Sequence, residues 1–478
     1  MPLLLYSFHS LAKLRTLCKS QSPRLLFHIT VWFPFFRENF VDEVNAVELL
    51  VLHPNRLSAR RLAAALECPH AVTSPDQPPE VLIRFGAAGG EEGSLFTLNR
   101  RQAQLRLKEA SLSAFYKLHR LPYSLTKKSG RSLTIHVVDG NVVAMETRER
   151  LTSTERQKCF GTAIRALYLA GIDFGSVQLS IHSRGIPWVN KVTAAPILTK
   201  ELAAAYASAL GKTIALRKGD SVPTNSNPIQ LGADPEFMLK SIRTGKMIPA
   251  NRFFAPKGTI GCDQRKAIGE LRPRPKSTPR ELTEAIGSLL TKASEKIQKK
   301  RVALMAGSMP FAQFPIGGHI HFGRLSLNFR LLQALDNYLL VPLFCIERKR
   351  TAIRRRKYYG CIGDIRPKGP GRFEYRAPSS WLVSPTITLA ALSLAKLVAE
   401  QAHRLQRNYF ADLNAVRAFY QGDKEYFRLP VKELRQDLTS LPGYSDYAAD
   451  LEPLWQMIDE EQEWDEEADL CSTWELGQ

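Results

Sequence analysis

A chain of 478 residues exceeds what one ordinary hydrophobic core organises, so two or three domains are expected. Hydrophobic content of 44% excludes a disordered chain, and no apolar run reaches the roughly 20 residues that span a bilayer as a helix. The formal charge of +20 points to anionic partners, although the basic residues are spread so widely that a solvated surface accounts for most of them.

Residues 1–45 show no consistent pattern: Glu38 is the first acid, and Leu25 to Phe36 is apolar around His28 and Pro34. A targeting segment has a similar texture, but no small-residue cleavage site follows, so this stretch reads as a poorly defined N-terminal extension. Residues 46–218 mix short strands and helices. Glu48 to His53 and Val81 to Phe85 read as buried strands, and Arg100 to His119 has helical composition. Thr134 to Val138 and Val142 to Thr147, joined by Asp139-Gly140-Asn141, predict a hairpin. Glu155 to Ala170 predicts a helix ended by Gly171, and Lys200 to Leu210 another stopped by Gly211.

Residues 219–229, rich in Gly, Ser, Pro, Thr and Asn, read as a linker. Beyond it the texture changes. Strands near 235–240, 268–272, 317–322 and 372–376 alternate with helices near 279–300, 326–350 and 386–410, which predicts an α+β fold over 230–450. Residues 451–478, acidic from Asp459 to Asp469 around Trp464, are expected as a solvated tail. Cys18, Cys68, Cys159, Cys262, Cys345, Cys361 and Cys471 form no C-x-x-C pair, so free thiols in a reducing, cytoplasmic compartment are expected and zinc is not.

Three stretches place reactive side chains two residues apart: Asp234 with Glu236, His319 with His321, and Glu374 with Arg376. Residues i and i+2 of a strand share a face, so each stretch presents a pair. Glu270 and Arg272 form a fourth, preceded by Asp263, and Arg354, Arg356 and Arg366 lie between the histidines and Glu374. Carboxylates converging on one cavity repel unless cations sit between them. Asp234, Glu236, Glu270, His319 and Glu374 suit two or three Mg²⁺ or Mn²⁺ ions, and arginines suit phosphate. Singly, each pair has a plainer reading: a Glu-x-Arg is a cross-strand ion pair, a His-x-His is packing, and Arg348 to Lys357 is a solvated helix face or a nucleic-acid patch. Their joint occurrence, in order and bracketed by glycine or apolar residues, favours a site for metal-assisted phosphoryl chemistry.

The ordered set G-A-D-P-E-F, G-E-L-R-P, G-G-H-I-H-F-G, R-K-Y-Y-G and F-E-Y-R-A-P-S-S-W, from Leu231 to Leu397, resembles the phage-type carboxylate–amine ligases, type 2, of the glutamine-synthetase-like superfamily. The resemblance implies a glutamine-synthetase-like domain that joins a carboxylate to an amine with ATP. It implies metal ligation by Asp234, Glu236, Glu270, His319 and Glu374, with His321 beside them. It also implies phosphate contacts by Arg376 and by one or more of Arg354, Arg356 and Arg366. An attacking amine must lose a proton, and Asp263 or Asp364 is the candidate base. Pro235 departs from glutamine synthetase and implies an edge strand or bulge.

The N-terminal region resembles an ATP-grasp α/β domain through Ile135 to Gly140, Gly171 to Val177 and Ala194-Ala195-Pro196 leading to Tyr206. Active members carry an acid where this chain has Gln178 and a Glu-x-Asn where it has Lys191 and Thr193, so the resemblance implies a degenerate domain. No Walker loop occurs, and Gly86 to Gly90 reads as a plain loop. A basic nucleic-acid-binding protein using Arg348 to Lys357 ranks second, and a non-catalytic nucleotide-binding scaffold third. Whether the acceptor is a small molecule, peptide or cell-envelope polymer stays open, as does a homo-oligomer.

Overall fold

Period-two alternation in the C-terminal half produces one antiparallel sheet in the computed structural model, which describes residues 26–31, 49–53, 56–65, 81–86, 96–98, 112–124, 130–182, 185–194, 196–217, 228–263, 266–297 and 301–476. Its strands neighbour one another in the order Ile260–Cys262, Gly269–Leu271, Gln230–Ser241, Gly318–Gly323, Arg372–Tyr375 and Ile365–Pro367. Met247–Ile248 and Val302–Met305 pair with the far end of Gln230–Ser241, which makes that strand the centre of the sheet. Helices Pro279–Ile297 and Pro385–Gln401 bury their apolar residues in the same core. The fold is α+β.

Pro235 lies in this central strand, not on an edge. It faces Gly318 on one side, while the ladder to Gly269–Leu271 pairs only Glu236 and Phe237 and stops before the proline. Proline has no N–H to donate, so the ladder ends where its donor is missing.

The N-terminal lobe contains a second antiparallel sheet, ordered Asn141–Thr147, Arg131–Val138, Phe174–Ile181, Pro187–Thr193. The hairpin forms with Asp139 at φ 43° and Gly140 at φ 80°, the left-handed pair of a tight two-residue turn. Helix Ser153–Ala170 starts on a Thr152–Glu155 capping box and stops at Gly171, φ 71°. The expected stop at Gly211 does not occur, and helix Lys200–Arg217 runs through it. Gly211 is absent from the left-handed backbone that ends a helix, and mid-helix glycine costs only about 1 kcal/mol. The lobes touch through the hairpin turn: Phe329 N donates to Asp139 Oδ1 (2.9 Å), and Asn141 Nδ2 to Leu327 O (2.9 Å).

A smaller sheet orders Leu26–Val31, Val81–Gly86, Leu49–His53 and Phe96–Leu98. Of the helix expected from Arg100 to His119, Leu112–Leu118 is helical, and residues 100–111 lie outside the described residues, as do 219–227 of the linker and all of 1–45 except 26–31.

The acidic segment is not a solvated tail. Ala448–Asp459 is a helix, Trp464 and Glu466 are buried, and Trp464 N donates to Ile346 O (2.8 Å). Burying the Trp464 ring and tying Asp469 Oδ1 to Leu304 N (2.9 Å) outweighs the solvation of the surrounding acids. Phe329–Ile346 is long and apolar enough to cross a membrane, yet it is almost entirely buried inside the fold.

Candidate active site

Alternation along three strands sends Leu231, Ala233, Ile320, Phe322, Phe373 and Tyr375 into the core. It leaves Asp234, Glu236, His319, His321 and Glu374 on the opposite face. Register then brings the pairs together: His319 lies across from Asp234, His321 and Arg366 flank Glu374, and Glu270 lies across from Glu236.

His319 Nδ1 stands 2.9 Å from Asp234 Oδ1 and 3.6 Å from Glu374 Oε1, while His321 Nε2 stands 3.1 and 4.0 Å from the same two carboxylates. Burial alone would raise the Asp234 carboxyl, but the two imidazoles hold it well below the usual range. Burial and the Arg376 charge oppose protonation of His319, yet Asp234 and Glu236 outweigh them and its pKa is raised. Tyr359 OH lies 2.6 Å from His319 Nε2. Burial raises the Glu236 carboxyl, whose Oε2 accepts Gly317 N at 2.7 Å. Burial, with the Asp234 charge beside it, pushes Glu270 up to about 7 despite its bond from Arg272.

Glu374 has no solvent exposure, which by itself would raise its pKa. Arg376, His319 and Arg366 reverse that and bring it down to about 2. Arg366 Nη1 is 3.1 Å from both of its oxygens, Lys368 Nζ is 2.7 Å from Oε2, and Arg376 Nη1 bonds Oε1. One buried carboxylate thus meets three cations, two of which also reach solvent.

The other arginines divide differently. Arg356 is buried, ion-paired with Glu347 and set over the rings of Phe344 and Phe419, so it belongs to the core and not to this face. Arg354 lies on the adjoining helix Lys349–Arg355. Arg354 is half-buried there and, among the described residues, makes no ion pair with the acids of the sheet. Asp263 Oδ1 accepts Ile268 N (3.2 Å), which closes the turn leading into Glu270, and lies within ion-pair distance of neither histidine. Arg348 to Lys357 is no continuous basic stripe, since Arg355 and Arg356 are buried and Arg348 pairs with Glu467.

Two residues escaped the sequence reading. Lys368 sits two residues beyond Arg366, the same spacing that marked the other pairs, and that spacing was the available signal. Arg355, fully buried, donates Nε to Ile316 O (2.6 Å), Nη1 to Ala377 O (2.8 Å) and Nη2 to Pro378 O (2.7 Å). It clamps the start of the histidine strand to the end of the glutamate strand. Nothing in a run of three arginines singles it out. Gly317 and Gly318 make room for protein rather than ligand: a Cβ would come 2.5 Å from His319 Nε2 in the first and 2.4 Å from Trp381 Nε1 in the second.

The residues fit a divalent cation. Asp234, His321 and Glu374 offer ligand atoms within 4.8 Å of one another. His321 Nε2 is shut off from solvent and, among the described residues, makes no hydrogen bond, although Asp234 Oδ1 is near. Imidazole with carboxylates suits Mg²⁺ or, slightly better, Mn²⁺.

The model of a family described as phage phiEco32-like COOH.NH2 ligase-type 2 matches residues 231–476, more than half of the chain and all of this face. No curated protein matches the sequence. Among solved structures, a bifunctional glutathione synthetase from Pasteurella multocida is 10% identical with a TM-score of 0.31, covering 52% of this chain and 48% of that one. A GmaS/ADP complex is 13% identical with a TM-score of 0.27, covering 59% and 80%. The chain thus spans about half the length of that glutathione synthetase.

Proposed function

Because this chain belongs to the phage phiEco32-like COOH.NH2 ligase-type 2 family, we propose that it joins a carboxylate to an amine with ATP, through an acyl phosphate formed over the acidic face of the C-terminal sheet. The carboxylate oxygen takes the γ-phosphoryl group and ADP leaves. The amine nitrogen then attacks the acyl carbon, loses a proton and displaces phosphate.

One observation carries this reading: Asp234, Glu236, Glu270, His319, His321 and Glu374, from four separate strands, share one face with Arg366, Lys368 and Arg376. Asp234, His321 and Glu374, with Glu236, Glu270 and His319 around them, would hold two or three Mg²⁺ or Mn²⁺ ions. When bound, such ions neutralise the nucleotide phosphates and the charge that develops on transfer. Arg366, Lys368 and Arg376 supply more positive charge than Glu374 alone requires, and the surplus suits phosphoryl oxygens. Asp263 or Asp364 would take the proton from the amine. Arg356, expected among the phosphate contacts, is left out because it is buried against Glu347 and two aromatic rings, and Arg354 stays a candidate contact.

The N-terminal lobe, read as a degenerate ATP-grasp-like domain, would serve as scaffold. Gln178 and Lys191 face each other on its sheet, both exposed, where an active enzyme needs acids to anchor Mg–ATP. A reducing, cytoplasmic setting is proposed from the scattered cysteine spacing, which forms no C-x-x-C pair.

The test is ADP release that requires a carboxylate and an amine together. Glu236→Ala and Glu374→Ala should each abolish it. Release that persists in both variants removes this face from the mechanism.

A further inference from the structure

Behind Glu374, on the core side of the sheet, lies a carboxylate that the chemistry above does not use. Asp336 is fully buried in the π-helical segment Leu335–Leu339, which interrupts the helical run from Phe329 to Ile346. Such segments re-aim side chains and recur at functional positions. Asp336 Oδ1 accepts from Tyr375 OH (2.7 Å) and Gly363 N (3.2 Å), and Oδ2 from Tyr168 OH (2.7 Å).

These three donors come from three elements that meet at the site. Tyr375 ends the strand that carries Glu374 and is followed directly by Arg376. Gly363 precedes Asp364, whose carbonyl accepts Arg376 N at 2.9 Å. Tyr168 belongs to helix Ser153–Ala170 of the N-terminal lobe. The same helix sends Arg165 Nε to Ile362 O (2.8 Å) and packs so closely that a Cβ at Gly161 would lie 2.8 Å from Ile365 O. One face of that helix is therefore the wall against which the Arg366 strand is set.

We infer that Asp336 is a positioning residue through which the N-terminal lobe holds Glu374, Arg366 and Arg376 in mutual alignment. The inference rests on the acidic face being the nucleotide and metal site. A shift of Tyr375 or Gly363 moves the backbone on either side of Glu374 and Arg376, and ligand sites lose function on displacements of about 1 Å. The lobe thereby contributes to the site without supplying a ligand to it.

The test is calorimetric titration of the full chain with Mn²⁺ and a nonhydrolysable ATP analogue, beside thermal unfolding without ligand. Tyr168→Phe removes only the lobe's hydroxyl from Asp336. Tyr338→Phe, in the same π-helical segment, removes a hydroxyl that donates to Asp437 Oδ2 (2.6 Å) away from the sheet. Asp336→Asn and Tyr168→Phe should weaken binding about two- to thirty-fold, the span seen for coupling residues that touch no ligand. Tyr338→Phe should lower the melting temperature and leave the affinity alone. Equal affinity loss in Tyr338→Phe, or wild-type affinity in Tyr168→Phe, overturns the coupling. A wild-type chain that binds no analogue overturns the reading beneath it, and the coupling with it.

Discussion

Arg366 and Glu374 face each other across the outermost strand pair, and a single guanidinium nitrogen stands 3.1 Å from both carboxylate oxygens. The carboxylate is sealed from solvent while the Arg366 side chain is 37% exposed, so the pair has a fixed anion and a cation open to a second partner. Arg356 and Glu347 form the opposite kind of pair, buried on both sides.

The two arginines should therefore fail in different ways. Arg366→Ala should slow ADP release by about 10²-fold or more, the cost of one preorganised donor to transferring charge, with little change in unfolding. Arg356→Ala should destabilise by about 3–5 kcal/mol, because Glu347 is left buried and unpaired. Urea unfolding and ADP release on both variants separate them. The assignment fails if Arg356→Ala is stable but inactive.

Arg355 predicts a mixed outcome. Lysine has no fork, so Arg355→Lys leaves at least one of the Ile316, Ala377 and Pro378 carbonyls without its donor, at about 1–3 kcal/mol each. Those carbonyls flank the His319 and Glu374 strands, so ADP release should drop together with the melting temperature. Gly360→Ala should copy it: φ is +74°, and the added Cβ would lie 1.8 Å from Arg355 Nη1. A variant that melts early yet turns over normally would contradict the clamp.

Glu270 sets a pH dependence in the absence of added metal. Its folded pKa of about 7 lies above the ordinary 4.5, so the folded state binds the extra proton between those values. Stability from this group therefore falls as pH rises from about 4.5 to about 7 and is flat above. The full change is on the order of 3 kcal/mol, shared with Asp234 because the two carboxylates titrate together. Glu374 acts in the reverse sense: held at about 2, it stabilises above pH 4.5 and loses that contribution as pH falls toward 2. Urea midpoints from pH 4.5 to 8 should fall more steeply in the wild type than in Glu270→Gln, where buried Asp336, raised to about 6, keeps part of the slope. The same slope in both would sink the assignment.

Metal binding should release protons. A cation among these carboxylates selects their ionised forms, so at pH 6.5 Mn²⁺ binding should expel about one proton, held largely by Glu270. Calorimetry in buffers of different ionisation enthalpy reads this directly. Heats independent of the buffer would rule it out.

Much of the site was legible because strand geometry is local. The spacing of Asp234 with Glu236, His319 with His321 and Glu374 with Arg376 is a property of consecutive residues, as is the hairpin at Asp139-Gly140. Glycine stops were legible only where the backbone turned left-handed, at Gly171 and not at Gly211. The acidic run around Trp464 misled because charge is visible in a sequence, whereas the cavity that receives an indole ring is not.

Composition and spacing by themselves determined which side chains must share a face, since alternation follows from covalent geometry. Only the tertiary structure decided which strands lie side by side, which of three consecutive arginines enters the core, and that Lys368 and Arg355 belong to the site. Those outcomes depend on register and packing between residues far apart in the chain, and no local preference encodes them.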